Sequence, residues 1–193
     1  MGKRYGMVRP TPSIKGLSLK IAAAFALANA PSLVAAQAVE TANSSAQLFE
    51  EVTLSNGRDM DFGRIIAPRN GRVDMTAEDT AVCTPNNTLI VLDACQSAAF
   101  DGVGVAGAQI RVRVPPGRRI NLTGPDRDLR LRQMTVGAGD GLTFIRRQNR
   151  NFDFTINDAT GAFEFFVGAR LLIRNNQAPG VYSGTFSIEV DYQ

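Results

Sequence analysis

From Leu48 onward the chain alternates apolar and polar residues with a period of two, and that period decides what it can fold into. A β-strand sends successive side chains to opposite faces, so such a segment has one buried face and one wet face. The run AQIRVRVP (108–115) is the clearest instance: Ile110, Val112 and Val114 face one way, Arg111 and Arg113 the other. EVTLSN, TLIVLD, RINLTG, LRQMTVG, NFDFTI and TFSIEVDY are likewise short and rich in Val, Ile, Thr and Phe. Turn-forming clusters separate them: SNGRD, PRNG, TPNN, PPG, GPD, GAGDG, NDATG and NNQAPG. No segment beyond the N-terminal stretch keeps apolar residues at helical spacing for about three turns. Short strands with turns roughly every 8 to 12 residues predict an all-β sandwich over residues 48–193. EFFVGARLLI (164–173) is apolar on both phases and is expected in the middle of a sheet. The tail reads as one extended strand from Val181 to the end.

The N-terminal stretch follows other rules. Lys3, Arg4, Arg9, Lys15 and Lys20 stand in it without a single acid, followed by the apolar run IAAAFALANA and the small residues of PSLVAAQA. That is the layout of a secretory signal peptide, residues 1–38, with cleavage expected after Ala36 or Ala38. Its apolar core is half the roughly twenty residues a membrane span needs. The expected destination is therefore the periplasm, the cell surface or the medium, with no membrane-spanning segment in the mature chain. VETANSSAQ (39–47) then forms a small, polar arm.

Removing the leader changes the charge argument. The remainder holds 16 arginines, no lysine and all 18 acids, a net charge close to −2. The basic pI of about 9.2 thus belongs mostly to the leader. Arg118-Arg119, the group Arg127, Arg130 and Arg132, and Arg146-Arg147 with Arg150 are interspersed with acids and few aromatics, which argues against nucleic acid. Cys83 and Cys95, an even pair in an exported chain, favour a disulfide over a metal pair or free thiols. A metal site needs more ligands than two cysteines without histidine provide.

Catalysis finds little support. The chain has no histidine, so the usual base for Ser or Cys nucleophiles and the commonest metal ligand are both missing. Asp59 with Asp61 and Asp126 with Asp128 lie two apart, but such pairs in loops are ordinarily solvated, and no EF-hand spacing is present. GVGVAG (102–107) is followed by no helix that could hold a phosphate and reads as a turn or bulge. No enzymatic activity, cofactor or metal is expected.

The ending carries the functional signal. Gly180 is the fourteenth residue from the end and Tyr192 the second, with Phe186, Ile188 and Val190 alternating between them. This resembles the C-terminal strand of chaperone–usher pilus subunits. In that family an immunoglobulin-like sandwich lacks one strand, which a periplasmic chaperone and then the N-terminal arm of the next subunit supply. The resemblance implies that Phe186, Ile188 and Val190 line the acceptor groove and that Gly180 and Tyr192 serve chaperone recognition. Across residues 48–193, LSNGRDMDFGRI, AAFDGVGVAG, VRVPPGRRINLTG, FEFFVGARLLI and NNQAPGVYSGTFSIEVDY are similar to a family of secreted bacterial domains of unknown function. That family is akin to the spore coat protein U type and to archaic pilins. The implied role is a structural subunit of a pilus-like or surface fibre, whose partners are a chaperone and usher or further copies of itself. The alternative is a self-contained monomeric binding module, for example for a glycan, using the GVGVAG and GAGDGL loops.

Overall fold

The period-two segments become strands in the computed structural model, which describes residues 45, 46, 48, 50–86, 88–117 and 120–193. The expected signal peptide, most of the arm and the Arg118-Arg119 pair lie outside the described residues. Thirteen strands follow in chain order: β1 (Thr53–Arg58), β2 (Ile65–Ile66), β3 (Gly71–Met75), β4 (Cys83–Pro85), β5 (Ile90–Val91), β6 (Ala98–Val103) and β7 (Gln109–Arg113), then β8 (Asn121–Leu122), β9 (Leu129–Ala138), β10 (Leu142–Gln148), β11 (Asn151–Ile156), β12 (Ala162–Ile173) and β13 (Glu189–Tyr192). The described residues contain no helix, and so none long and apolar enough to cross a membrane.

The strands form an all-β sandwich. One sheet is built on β12, the longest strand, which pairs with β6 and then β3 along one edge and with β9 along the other. β1 extends this sheet beyond β6, β4 beyond β3, and β8 beyond β9. The second sheet runs β10-β11-β7-β13, and β2 pairs with β5 in a short ribbon. Alternation sorts the side chains as expected: Ile110, Val112, Phe152, Phe154 and Ile156 of the second sheet meet Phe165, Val167, Leu131 and Leu171 of the first in one core. On β9 the alternation is interrupted at Gln133, whose φ of 47° marks a bulge. The register against β12 shifts there, so Leu131 and Met134 both point inward although three residues apart.

The expectation for residues 164–173 holds: β12 is hydrogen-bonded along both edges, and Phe165, Phe166, Val167 and Gly168 are all buried. Its outer face is covered by the chain leaving β3. A Cβ at Gly168 or Gly137 would run into the backbone carbonyl oxygens of Met75 or Ala77, so only glycine lets this segment cross so closely. Cys83 and Cys95 form a disulfide with Cα atoms 6.1 Å apart, tying β4 to the segment ahead of β6. Closing a loop of this size stabilises the fold by about 2–3 kcal/mol through the unfolded chain.

On the outer face of the second sheet, Asp153 is buried beneath two arginines. Arg111 Nε donates to its Oδ1 at 2.7 Å and Arg146 Nε to its Oδ2 at 2.8 Å. The hydrogen bond from Arg111 keeps this carboxyl below the usual range despite the opposing effect of burial, with Arg146 adding to the pull. β7, β10 and β11 are thereby held together across their wet face.

Candidate functional site

The tail does not form one continuous strand. Ladder bonding is confined to β13, which pairs with β7, followed by a last bond from Gln193 N–H to the Gln109 carbonyl. The cause lies in the partner. Beyond Arg113 the chain continues Val114-Pro115-Pro116, and proline has no N–H to give a ladder. Among the described residues the pairing resumes only once, where Thr123 and Ser183 exchange backbone hydrogen bonds of 2.7 and 3.0 Å. Both contacts use the same edge of the tail. Among the described residues the opposite edge has no ladder partner.

Facing that free edge is a second one. Among the described residues, 56–67 are bonded on one side only: β1 to β6, Asp61 to Gln96, and β2 to β5. Between this wall and residues 177–186 runs a groove with a volume of about 990 Å³. Its floor is the protein's own core, with Ala98, Phe100, Leu129, Leu131, Leu171 and Ile173 reaching it from the first sheet. Met60, Phe62 and Ile65 line one wall, Val181, Tyr182 and Phe186 the other. Here the core of the sandwich lies open between two strand edges.

Each wall is anchored on its far side. Arg64 grips Asp93 with two side-chain bonds of 2.7 and 2.8 Å, and its backbone N–H adds a third at 3.0 Å. The side-chain and backbone bonds from Arg64 pull the Asp93 carboxyl down to about 2. On the tail side, the Tyr182 ring lies over Gly124, and its hydroxyl donates to the Ala178 carbonyl at 2.7 Å. Gly180 has φ of 152°, and a Cβ there would meet Pro125 Cγ at 2.7 Å, so the backbone turns into the tail at a position that favours glycine.

The structure distributes the other residues singled out in the sequence as follows. Gly180 and Phe186 line the groove, and Phe186 meets Phe100 of its floor edge to face at 6.3 Å between centroids. Ile188 and Val190 are half-buried and pack on the core beyond the groove. Tyr192 also lies beyond it, where its hydroxyl accepts the Val105 N–H at 3.0 Å and fixes the turn after β6. Asp59 and Asp61 sit on the exposed rim, each in a local bond: Asp59 accepts from Asn56 Nδ2 and Asp61 from the Gly63 N–H. Asp126 stands 3.6 Å from Arg127 on the surface.

GVGVAG and GAGDGL, 35 positions apart in sequence, are brought to one end of the sandwich. Gly102, Val103, Asp140 and Gly141 line a cavity of about 510 Å³ there together with Asp101, Asp158 and Glu164. Burial raises the Glu164 carboxyl above its ordinary value, and Asp101, Asp79 and Asp140 add to the effect. Sequence reasoning missed the groove's first wall and its floor. Met60, Phe62 and Ile65 fit no strand alternation, and a gap between two edges depends on which strands pair.

The family model described as a domain of unknown function (DUF4402) matches residues 52–192, from the start of β1 through β13. No curated protein and no solved structure matches the chain.

Proposed function

The chain belongs to this DUF4402 family of domains of unknown function, and we propose that it is an exported, non-enzymatic structural subunit that takes up a β-strand from another molecule. The observation that carries this reading is the groove, a strip of core lying open between two strand edges that lack a ladder partner among the described residues. A strand laid between residues 56–67 and 177–186 would satisfy both edges and cover the floor. Each large apolar side chain seated there would contribute about 1.5–3 kcal/mol. An immunoglobulin-like sandwich short of one strand would have this kind of gap, the arrangement implied by the resemblance of the tail to the C-terminal strand of chaperone–usher pilus subunits. The donor would be a periplasmic chaperone first and the arm of another copy afterwards, giving a pilus-like or surface fibre. Leu48, the first residue after that arm, is 96% exposed, and Val181 on the acceptor wall is 86% exposed. Gly180 and Tyr192 would serve chaperone recognition, the one shaping entry to the groove wall and the other securing the end of the strand.

The test is electrophoresis without boiling, on chain recovered from a host that exports it. The reading expects a ladder of multimers or a one-to-one complex with a chaperone. Deleting residues 39–47 should remove the ladder and leave a folded subunit. A stable monomer with no partner in either sample contradicts assembly and leaves a self-contained binding module.

A further inference from the structure

The strand end that floors the groove has an opposite face of different chemistry. Leu171 and Ile173 of β12 point to the groove, whereas Leu172 and Arg174 line a cavity of about 500 Å³ on the outer surface. Pairing register places Arg130, Leu172 and Arg72 in one cross-strand row, and Arg132, Arg170 and Asp74 in the next. Arg130 and Arg72 thus flank Leu172, and Arg132 stands directly beside Arg170, about 5 Å away at Cβ. Asp74 is the only carboxylate in the two rows and is already taken. Arg170 Nε donates to its Oδ1, and Arg72 Nε to its Oδ2 at 3.1 Å. Among the described residues no carboxylate lines the cavity itself, which has Arg72, Arg130, Arg132 and Arg174 around it.

Two further details point to a ligand. The Nε of Arg132 is buried and has no hydrogen-bond partner among the described residues. Asn86 Oδ1 accepts the Arg72 N–H at 2.5 Å, and Asn175 Oδ1 accepts the Asn70 N–H at 2.7 Å. Both carbonyl ends are thus committed, leaving the NH₂ groups as the donors these two lining residues offer. An oxyanion would supply the counter-charge missing from this lining, through arginines whose planar forks suit carboxylate, sulfate and phosphate oxygens alike.

We propose that this cavity binds an acidic sugar unit of an anionic glycan. Its charged group would sit among Arg72, Arg130 and Arg132, its ring against Leu172, and its hydroxyls on Asn86 and Asn175. Among the described residues no aromatic ring lines the cavity for a nucleobase to stack on, which sets this ligand apart from single-stranded nucleic acid. The site shares no lining residue with the groove except Ile173 and does not depend on assembly.

The test is calorimetric titration of the full chain with oligogalacturonate, a heparin-derived oligosaccharide, a phosphorylated oligomannose, neutral dextran and oligo-dT. At least one acidic sugar should bind saturably and more weakly as salt rises, while dextran does not bind. Arg130→Glu and the milder Arg132→Gln should each weaken that binding about tenfold or more, the worth of one charge-assisted bond. Arg147→Glu, on the other sheet with the same change of charge as Arg130→Glu, should leave it unaltered, with melting temperature reporting the fold of each variant. The proposal is overturned if no acidic sugar saturates, if oligo-dT binds as tightly with the same sensitivity, or if Arg147→Glu weakens binding equally.

Discussion

Strand β12 and the tail are both extended and rich in phenylalanine and branched residues, β12 on both of its faces and the tail on one, and they have opposite surroundings. β12 has a hydrogen-bonded strand on each edge and cover on each face. The tail has one edge paired in part, and its first half borders an open groove. Alternation therefore tells which face of a strand is buried, and nothing about whether both edges are occupied. Occupancy depends on the neighbour, here a stretch broken by Pro115 and Pro116.

Paired substitutions sharpen this contrast. Phe165 of β12 is fully buried, and Phe165→Ala should cost about 3–5 kcal/mol in denaturant unfolding. Removing the disulfide by Cys83→Ser with Cys95→Ser should cost about 2–3 kcal/mol. Cys95 adjoins Gln96, whose backbone exchanges bonds of 2.7 and 2.8 Å with Asp61, so this loss should also loosen the groove's first wall. Melting with and without reductant checks it, and an unchanged midpoint would deny the bridge a stabilising role. Phe186→Ala, at a half-buried ring on the tail, should cost the isolated subunit only about 1–2 kcal/mol while weakening strand uptake. A loss as large as that at Phe165 would mean that the tail is as completely packed as β12.

The smallest expected effect is with pH. The Asp93 carboxyl is held down to about 2 by Arg64, so its folded value lies below its unfolded one. Such a group supports the fold above the ordinary carboxylate range, near 4, and loses that support as pH falls through its folded value. The wall around β2 and β5 should stay pinned from neutral pH to about 4 and loosen progressively toward pH 2. Exchange of the Leu92 amide, which donates to the Arg64 carbonyl at 2.9 Å, reports this directly.

Much of the fold was legible in the sequence. Ile110, Val112 and Val114 alternate cleanly with arginines, and all three are buried. The apolar block at 164–173 became the central strand because no solvated face can be built from it. Two readings shifted. GVGVAG was expected as a turn or bulge, and only its later part turns, at Ala106 and Gly107; Gly102 and Val103 belong to β6, where the ring of Phe163 occupies the space a Gly102 side chain would fill. The tail was expected as one strand, and its ladder stops at Glu189. Of the residues lining the groove, Gly180 and Phe186 were singled out through the resemblance of the ending to pilus subunits, since alternation alone marks only an ordinary last strand. The opposing wall and the arginine cavity have no local signature, since Arg72, Arg130, Arg132 and Arg174 converge only through strand register.

Amide hydrogen exchange on the monomeric chain, before and after assembly, addresses the open edge most directly. Residues 184–188 should exchange about a hundredfold or more faster than Phe165 and Leu171 in the monomer, because β12 opens only with the whole fold. In the assembled form the same amides should become protected. Slow exchange of residues 184–188 already in the monomer, unchanged by assembly, would contradict a strand-accepting groove.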